Sequence, residues 1–188
     1  GLPLTHTQGF NPRPSVSIAL PLSVGIESVC ELLDFDLDGD EIPDDEICRR
    51  LNGALIDGIH VREVYSDGRK IKHIAYLDCA LTLEYDAGVP SGAAEALAAL
   101  FARQELVVTK KSKNGNTEQN IIPMIRSLQV QNPDAHTLKI AARICCQNPS
   151  LNPMQLSAAI EAYLPDLTPD FVACRREAVY DLQETIFR

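Results

Sequence analysis

Ile74-Ala-Tyr-Leu-Asp-Cys-Ala-Leu-Thr-Leu-Glu-Tyr85 is the stretch from which the fold is read. Leu77, Cys79, Leu81 and Leu83 occupy alternate positions, so one face is apolar, the period-two signature of a long half-buried strand. Working downstream, residues 93–103 form an Ala/Leu-rich helix with Ser91 available as its cap, and residues 106–110 a strand. Residues 112–117 make a polar turn around Asn114-Gly115, and residues 121–128 a short helical insert. Residues 138–145 are a strand, residues 153–163 a helix opened by Asn152 and Pro153, and residues 171–180 a last strand. The order β-α-β-β-α-β is the split-βαβ, ferredoxin-like arrangement.

Upstream, the same theme recurs with elements missing. Residues 15–20 alternate as a strand does, and residues 21–28 form a turn around Gly25. Residues 30–37 alternate again, with Leu33, Phe35 and Leu37 on one face and Asp34 and Asp36 on the other. Pro43 opens a helix whose first turn holds Asp44, Asp45 and Glu46, favourable at the positive end of the helix dipole. Its apolar stripe is Ile47, Leu51 and Ala54; Asp57-Gly58 ends it, and residues 59–65 read as a strand. The order β-β-α-β matches the last four elements of the second half. The expected class is therefore α+β, with tandem ferredoxin-like halves built on antiparallel sheets and covered on one face by helices. Residues 1–67 would be an incomplete first half, its opening strand and helix lying upstream of Gly1, and residues 68–188 the second half.

Composition bounds the function. The 188 residues are 45% hydrophobic and 23% charged, ordinary globular values, while tryptophan is absent and aromatics are 5%, so aliphatic side chains must fill the core. A net charge of −9 argues against a chain that coats nucleic acid or anionic membrane. The charge is uneven. From Glu27 to Glu46 there are acidic residues and no basic one, whereas Arg103, Lys110, Lys111, Lys113 and Arg126 form a basic cluster. Cys30, Cys48, Cys79, Cys145, Cys146 and Cys174 include no C-x-x-C pair, and free thiols in a reducing compartment fit them better than a disulfide framework. With no signal peptide and no apolar run near the ~20 residues of a membrane span, the expected location is the cytoplasm, with no membrane contact.

Several motifs resolve into ordinary structure. Asp34, Asp36, Asp38 and Gly39 imitate a calcium loop, but Glu41 stands where that loop needs an apolar residue, and a strand's wet face explains the carboxylates. His6, His60, His73 and His136 are scattered, so no metal site is expected. There is no G-x-S-x-G, P-loop or dinucleotide fingerprint, so no catalytic residue and no cofactor is assigned.

The segment Thr5-His-Thr-Gln-Gly-Phe-Asn-Pro-Arg-Pro14 is different. Gly9 permits positive φ, and Pro12 and Pro14 stiffen an extended backbone on its C-terminal side. Phe10, Asn11 and Arg13 offer a stacking group, an amide and a phosphate-capable cation, a set suited to single-stranded nucleic acid or another anion. The alternative is a rigid loop that packs Phe10 into the core and caps the next strand.

These residues, with Gly1-Leu-Pro-Leu4, Val16-Ser-Ile-Ala-Leu-Pro-Leu22 and Gly25-Ile-Glu-Ser28, resemble the radical-SAM-linked bacterial domain of unknown function. The resemblance continues more weakly through Lys110-Lys111, Arg126 and Arg175-Arg-Glu-Ala-Val-Tyr180. It implies a partner, a radical S-adenosylmethionine protein either fused or separate, whose cysteines hold the iron–sulfur cluster; this chain has no C-x-x-x-C-x-x-C run of its own. Asn120-Ile-Ile-Pro-Met124 departs from the more polar, Asp-containing stretch of the family. Duplicated ferredoxin-like folds with a glycine-containing loop are also similar, at the level of fold, to CRISPR repeat-processing RNA endonucleases.

The expectation is an accessory domain presenting or binding RNA or another anionic substrate through Gly9, Phe10, Asn11, Arg13, Lys110, Lys111 and Arg126. The alternatives are a protein–protein docking module rimmed by the acidic stretch, or a metal-independent RNA endonuclease using His6.

Overall fold

The computed structural model describes residues 1–112 and 115–188. They form a mixed α/β protein with three α-helices and both antiparallel and parallel strand pairs. Two compact units are distinguished: one comprises residues 1–21, 31–72 and 188, the other residues 22–30 and 73–187.

In the smaller unit, β1 (Val16–Ile18) pairs antiparallel with β3 (Leu33–Phe35), and α1 (Asp44–Asn52) follows. The helix obeys its dipole at both ends, with Asp44, Asp45 and Glu46 in the first turn and Arg49 and Arg50 in the last. Ile47 is its buried residue, and Ala54 lies beyond its end. The strand expected at residues 59–65 is not there. The backbone at Val61 is held instead by the side chain of Asn52, which accepts from the Val61 N–H at 2.8 Å and donates to its carbonyl at 3.0 Å. A side-chain amide presents the same donor and acceptor as a neighbouring strand, so one residue satisfies this backbone without a sheet.

The larger unit carries a five-stranded sheet in the order β2-β9-β4-β8-β7. Its strands are β2 (Ile26–Ser28), β4 (Ile74–Glu84), β7 (Ile125–Asp134), β8 (Thr137–Cys145) and β9 (Phe171–Asp181). The four long strands pair antiparallel, and β2 adds to β9 in parallel. Residues 26–28, expected within a turn, thus become an edge strand. β4 is central and alternates as its sequence does: Leu77, Cys79, Leu81 and Leu83 are buried with Leu138, Ile140, Ala142 and Ile144 of β8. Over that core lie α2 (Ala93–Phe101), burying Leu97, Leu100 and Phe101, and α3 (Met154–Tyr163), burying Leu156, Ala159 and Ile160. Gly92, with φ of 74°, precedes α2, and Ser91 does not cap it. Asn152 does open α3: its Oδ1 accepts from the Met154 N–H at 2.9 Å, while Gln155 returns a bond to the Asn152 N–H at 3.1 Å, a reciprocal capping box.

The insert between α2 and β8 differs from its expected form. β5 (Val107–Ser112) and β6 (Gly115–Asn120) are a separate antiparallel ribbon, so Ser112 and residues 115–117, expected within a turn, belong to its strands. Only Ile122–Met124 is helical, as a 3-10 turn, and the chain then enters β7 rather than remaining helical to residue 128. β7 was obscured because only Ile125, Leu128 and Val130 are apolar in its ten residues, as an edge strand tolerates.

Candidate functional site

The segment at residues 7–13 is a loop with a fixed neck. The Thr5 N–H donates to the Asp36 carbonyl at 2.9 Å, the Ser15 N–H to the Thr5 carbonyl at 2.8 Å, and the Thr7 N–H to the Arg13 carbonyl at 2.8 Å. The Thr7 hydroxyl accepts from the Arg13 N–H at 3.1 Å. Gly9 has φ of 143°, in the range that favours glycine, with nothing crowding a Cβ there. Phe10 is fully exposed, at 109% of its reference area, so the loop does not pack it into a core. Asn11 and Arg13 are exposed too, and no ion pair to Arg13 is found among the described residues. His6 stands exposed in the neck, bridging to Pro14 through the backbone. The same unit has an open, largely apolar groove of about 370 Å³, bounded by Leu2, Leu4, Val16, Leu33, Phe35 and Leu51.

The other expected site residues belong to the larger unit. Lys110 lies on β5 opposite Thr117, and Lys111 opposite Asn116. Lys113 lies outside the described residues, as does the side chain of Lys111. The base of this ribbon is anchored: Tyr163 Oη donates to the Val107 carbonyl at 2.9 Å, and Asn120 Oδ1 accepts from the Leu106 and Ile122 N–H groups at 3.0 and 3.2 Å. Arg126 is elsewhere, on β7, where the register slips between Ile125 and Ser127. A bulge re-aims a side chain, and here Arg126 meets Tyr76 and Glu184.

That meeting is part of a polar cluster the sequence did not announce, on the sheet face opposite the buried leucines. Strand alternation puts Asp78 of β4 directly across from Arg143 of β8. Arg143 Nε and Nη2 donate to the two Asp78 oxygens at 2.8 and 2.9 Å, a bidentate fork. Tyr180 Oη donates to Asp78 Oδ2 at 2.8 Å, and the Arg143 guanidinium lies 3.8 Å from the Tyr180 ring centroid. Arg143 Nη1 also donates to Glu184 Oε2 at 2.9 Å. Arg126 Nη2 donates to Glu184 Oε1 at 3.1 Å, with its guanidinium 5.3 Å from the Tyr76 ring centroid.

The electrostatics follow from these contacts. Arg143, and to a lesser degree Arg126, hold the Glu184 carboxyl below the usual carboxylate range. Burial, then the hydrogen bond to Asp78, raises the Tyr180 phenol above its ordinary value. The Asp78 fork raises Arg143 further above its already high value. Burial pushes the Cys174 thiol up to about 11 and Cys146 to about 12, so both are inert neutral thiols at neutral pH. Among the described residues, no group of three or more His, Cys, Asp and Glu side chains is placed to hold a metal ion. Among the same residues, no helix is long and apolar enough to cross a membrane.

Residues 1–153 match the model of a family described as an uncharacterized protein conserved in bacteria, DUF2344. The chain belongs to this family. The matched region contains the loop, Asp78, Arg126 and Arg143; Tyr180 and Glu184 lie past its end. Neither the curated proteins nor the solved structures contain a significant match.

Two signals for the missed cluster were present. Asp78 and Arg143 are each a charge flanked by apolar residues in mid-strand, a placement that demands a partner. Which partner depends on cross-strand register, which one sequence does not disclose.

Proposed function

We propose that this chain is a non-catalytic binding module that takes single-stranded RNA, or a similar anionic segment, on the loop at residues 7–13. In this reading it serves a radical S-adenosylmethionine protein, fused or separate, as its substrate-holding accessory. The observation that carries the reading is Phe10, wholly exposed on a loop whose neck is hydrogen-bonded on both sides. An exposed aromatic held in place is a stacking platform, since any base presents a π-face to it. Asn11 and Arg13 lie within three residues of it, to pair with a base edge and a phosphate. Lys110 and Arg126, the other described cations of the expected site, belong to the larger unit and would take phosphate separately from the loop. The strand order β9-β4-β8-β7, with α2 and α3 between strands, supports a split-βαβ reading of the larger unit, the ribbon β5-β6 being an insertion.

The test is fluorescence anisotropy with a labelled single-stranded RNA of about 10 nucleotides, within the span that one binding module covers. Phe10→Ala should weaken binding by about 1–3 kcal/mol, the usual worth of one stacked base. Arg13→Glu should flatten the dependence of log K on log salt by about one phosphate contact. Neither should alter folding, because neither side chain packs against the protein. Undetectable binding by the intact chain, or equal binding by all three proteins, sinks the proposal.

The groove bounded by Leu2, Leu4, Val16, Leu33, Phe35 and Leu51 favours a second reading, a protein-docking module with the acidic stretch as its rim. Leu33→Lys, on the groove and partly exposed, would then abolish co-purification with a co-expressed radical S-adenosylmethionine protein; retention of the pair would dismiss this reading.

A further inference from the structure

We infer that Arg126 and Arg143 form a phosphate-binding fork on the sheet face, and that the carboxylate of Glu184 occupies it as an internal surrogate ligand. The inference uses Arg126, one of the cations of the anion-binding reading above, but does not depend on the loop at residues 7–13.

Glu184 contacts the fork as an oxyanion ligand would. One carboxylate oxygen takes Arg126 at 3.1 Å and the other takes Arg143 at 2.9 Å, so a single anionic group spans two guanidiniums. Planar guanidinium groups favour multidentate contact with carboxylate and phosphate alike. The two halves of the cluster differ in permanence. Arg143 and Asp78 keep only 22% and 29% of their side-chain area exposed and are locked bidentately, whereas Arg126 and Glu184 keep 51% and 38%. The exchangeable member is therefore Glu184. When it leaves, Asp78 still neutralises Arg143, and the fork carries a net single positive charge open to solvent.

Both guanidiniums are also held without Glu184. Arg143 lies on the Tyr180 ring and Arg126 on the Tyr76 ring, so neither plane depends on the carboxylate for its orientation. The turn that delivers Glu184 is fixed independently. Asp181 Oδ1 accepts from the Gln183 and Thr185 N–H groups at 2.9 Å each, and the Glu184 N–H donates to the Asp181 carbonyl at 3.0 Å. The Glu184 side chain can thus rotate away while the turn persists. Glu184 itself has φ of 58°, a left-handed conformation that glycine occupies freely and glutamate does not. A strained residue that aims a carboxylate into a pair of arginines fits a competitor for their ligand.

The ligand chemistry is a phosphoryl oxyanion, from either a small phosphorylated molecule or a nucleic-acid backbone. Inorganic pyrophosphate is the probe, titrated at constant chloride while the side-chain Nε–H resonances of Arg126 and Arg143 are followed by NMR. Glu184→Gly removes the carboxylate and suits the positive φ, so folding should be preserved. It should lower the titration midpoint by about 1.5- to 5-fold, the scale of an exposed ion pair removed as competitor. Arg126→Ala in the Glu184→Gly background should raise the midpoint again. Equal midpoints with and without Glu184, or no movement of either arginine resonance, would overturn the inference. A single-stranded oligonucleotide moving the same resonances identifies a backbone phosphate as the source; pyrophosphate alone moving them identifies a small ligand. Loss of RNA binding on Phe10→Ala tests the loop separately, so either proposal can fail while the other stands.

Discussion

Replacing Arg143 with lysine keeps the charge and removes the geometry, and this separates a bidentate hub from a mere counter-ion. Arg143 makes two bonds to Asp78, at 2.8 and 2.9 Å, one to Glu184, and a stack on Tyr180 at 3.8 Å. A lysine ammonium at the same position reaches Asp78 as a point charge but cannot fork or lie flat on the ring. One hydrogen bond to Asp78 is then lost, worth about 0.5–1.5 kcal/mol, together with a stack of about 0.5–1 kcal/mol at a partly exposed site. The Glu184 contact is a part-exposed ion pair of small worth and is left out of the count. The expected cost is about 1–2.5 kcal/mol, or roughly a 5- to 70-fold increase in local opening. Because the chain divides into two units, a single melting curve does not report this cleanly. Native-state hydrogen exchange does. Amides of β4, β8 and β9 near residues 78, 143 and 179 should exchange faster by that factor, while Val61 in the smaller unit should not change. Exchange within twofold of the parent at the sheet amides would refute the hub: Arg143 would then act only as a charge.

The same contacts set two further outcomes. Asn52→Ala leaves the N–H and carbonyl of Val61 without their partners at 2.8 and 3.0 Å, and should cost about 1–3 kcal/mol locally, read as lost exchange protection at Val61 with the five-stranded sheet unaffected. Acid should release Glu184: its folded-state pKa lies below the ordinary carboxylate value, so its ion pairs contribute above that value and are lost as pH falls through the lowered one. The carboxyl resonance of Glu184 should titrate below an exposed glutamate's, and Arg143→Lys should bring it back up.

The legible part of this fold was whatever periodicity alone encodes. Residues 74–84 alternate so strictly that the central strand, its buried face and the neighbouring helices could be read from apolar spacing. Residues 59–62, Ile-His-Val-Arg, alternate as well, yet the stretch expected to continue as a strand to residue 65 forms none. Alternation states that a backbone is extended with two unlike faces; it does not say whether a strand or the amide of Asn52 will satisfy that backbone. β7 shows the converse failure. Its outward face and outer edge need no apolar residues, so a real ten-residue strand carried too weak a signal to compete with a helix.

The candidate sites divide along the same line. The loop at residues 7–13 was visible because its chemistry is contiguous: Gly9, Phe10, Asn11 and Arg13 announce a rigid, displayed segment within five residues. The fork around Glu184 was invisible because its parts, from Tyr76 to Glu184, meet only through strand register, a β7 bulge and a left-handed residue in the final turn. Arg126 illustrates the difference. Its sequence neighbours suggested a basic cluster with Lys110 and Lys111, but the bulge between Ile125 and Ser127 turns it onto Tyr76 and the Arg143 network instead. A cation's role is decided by the carboxylate it meets in space, and for Arg126 that carboxylate lies fifty-eight positions along the chain.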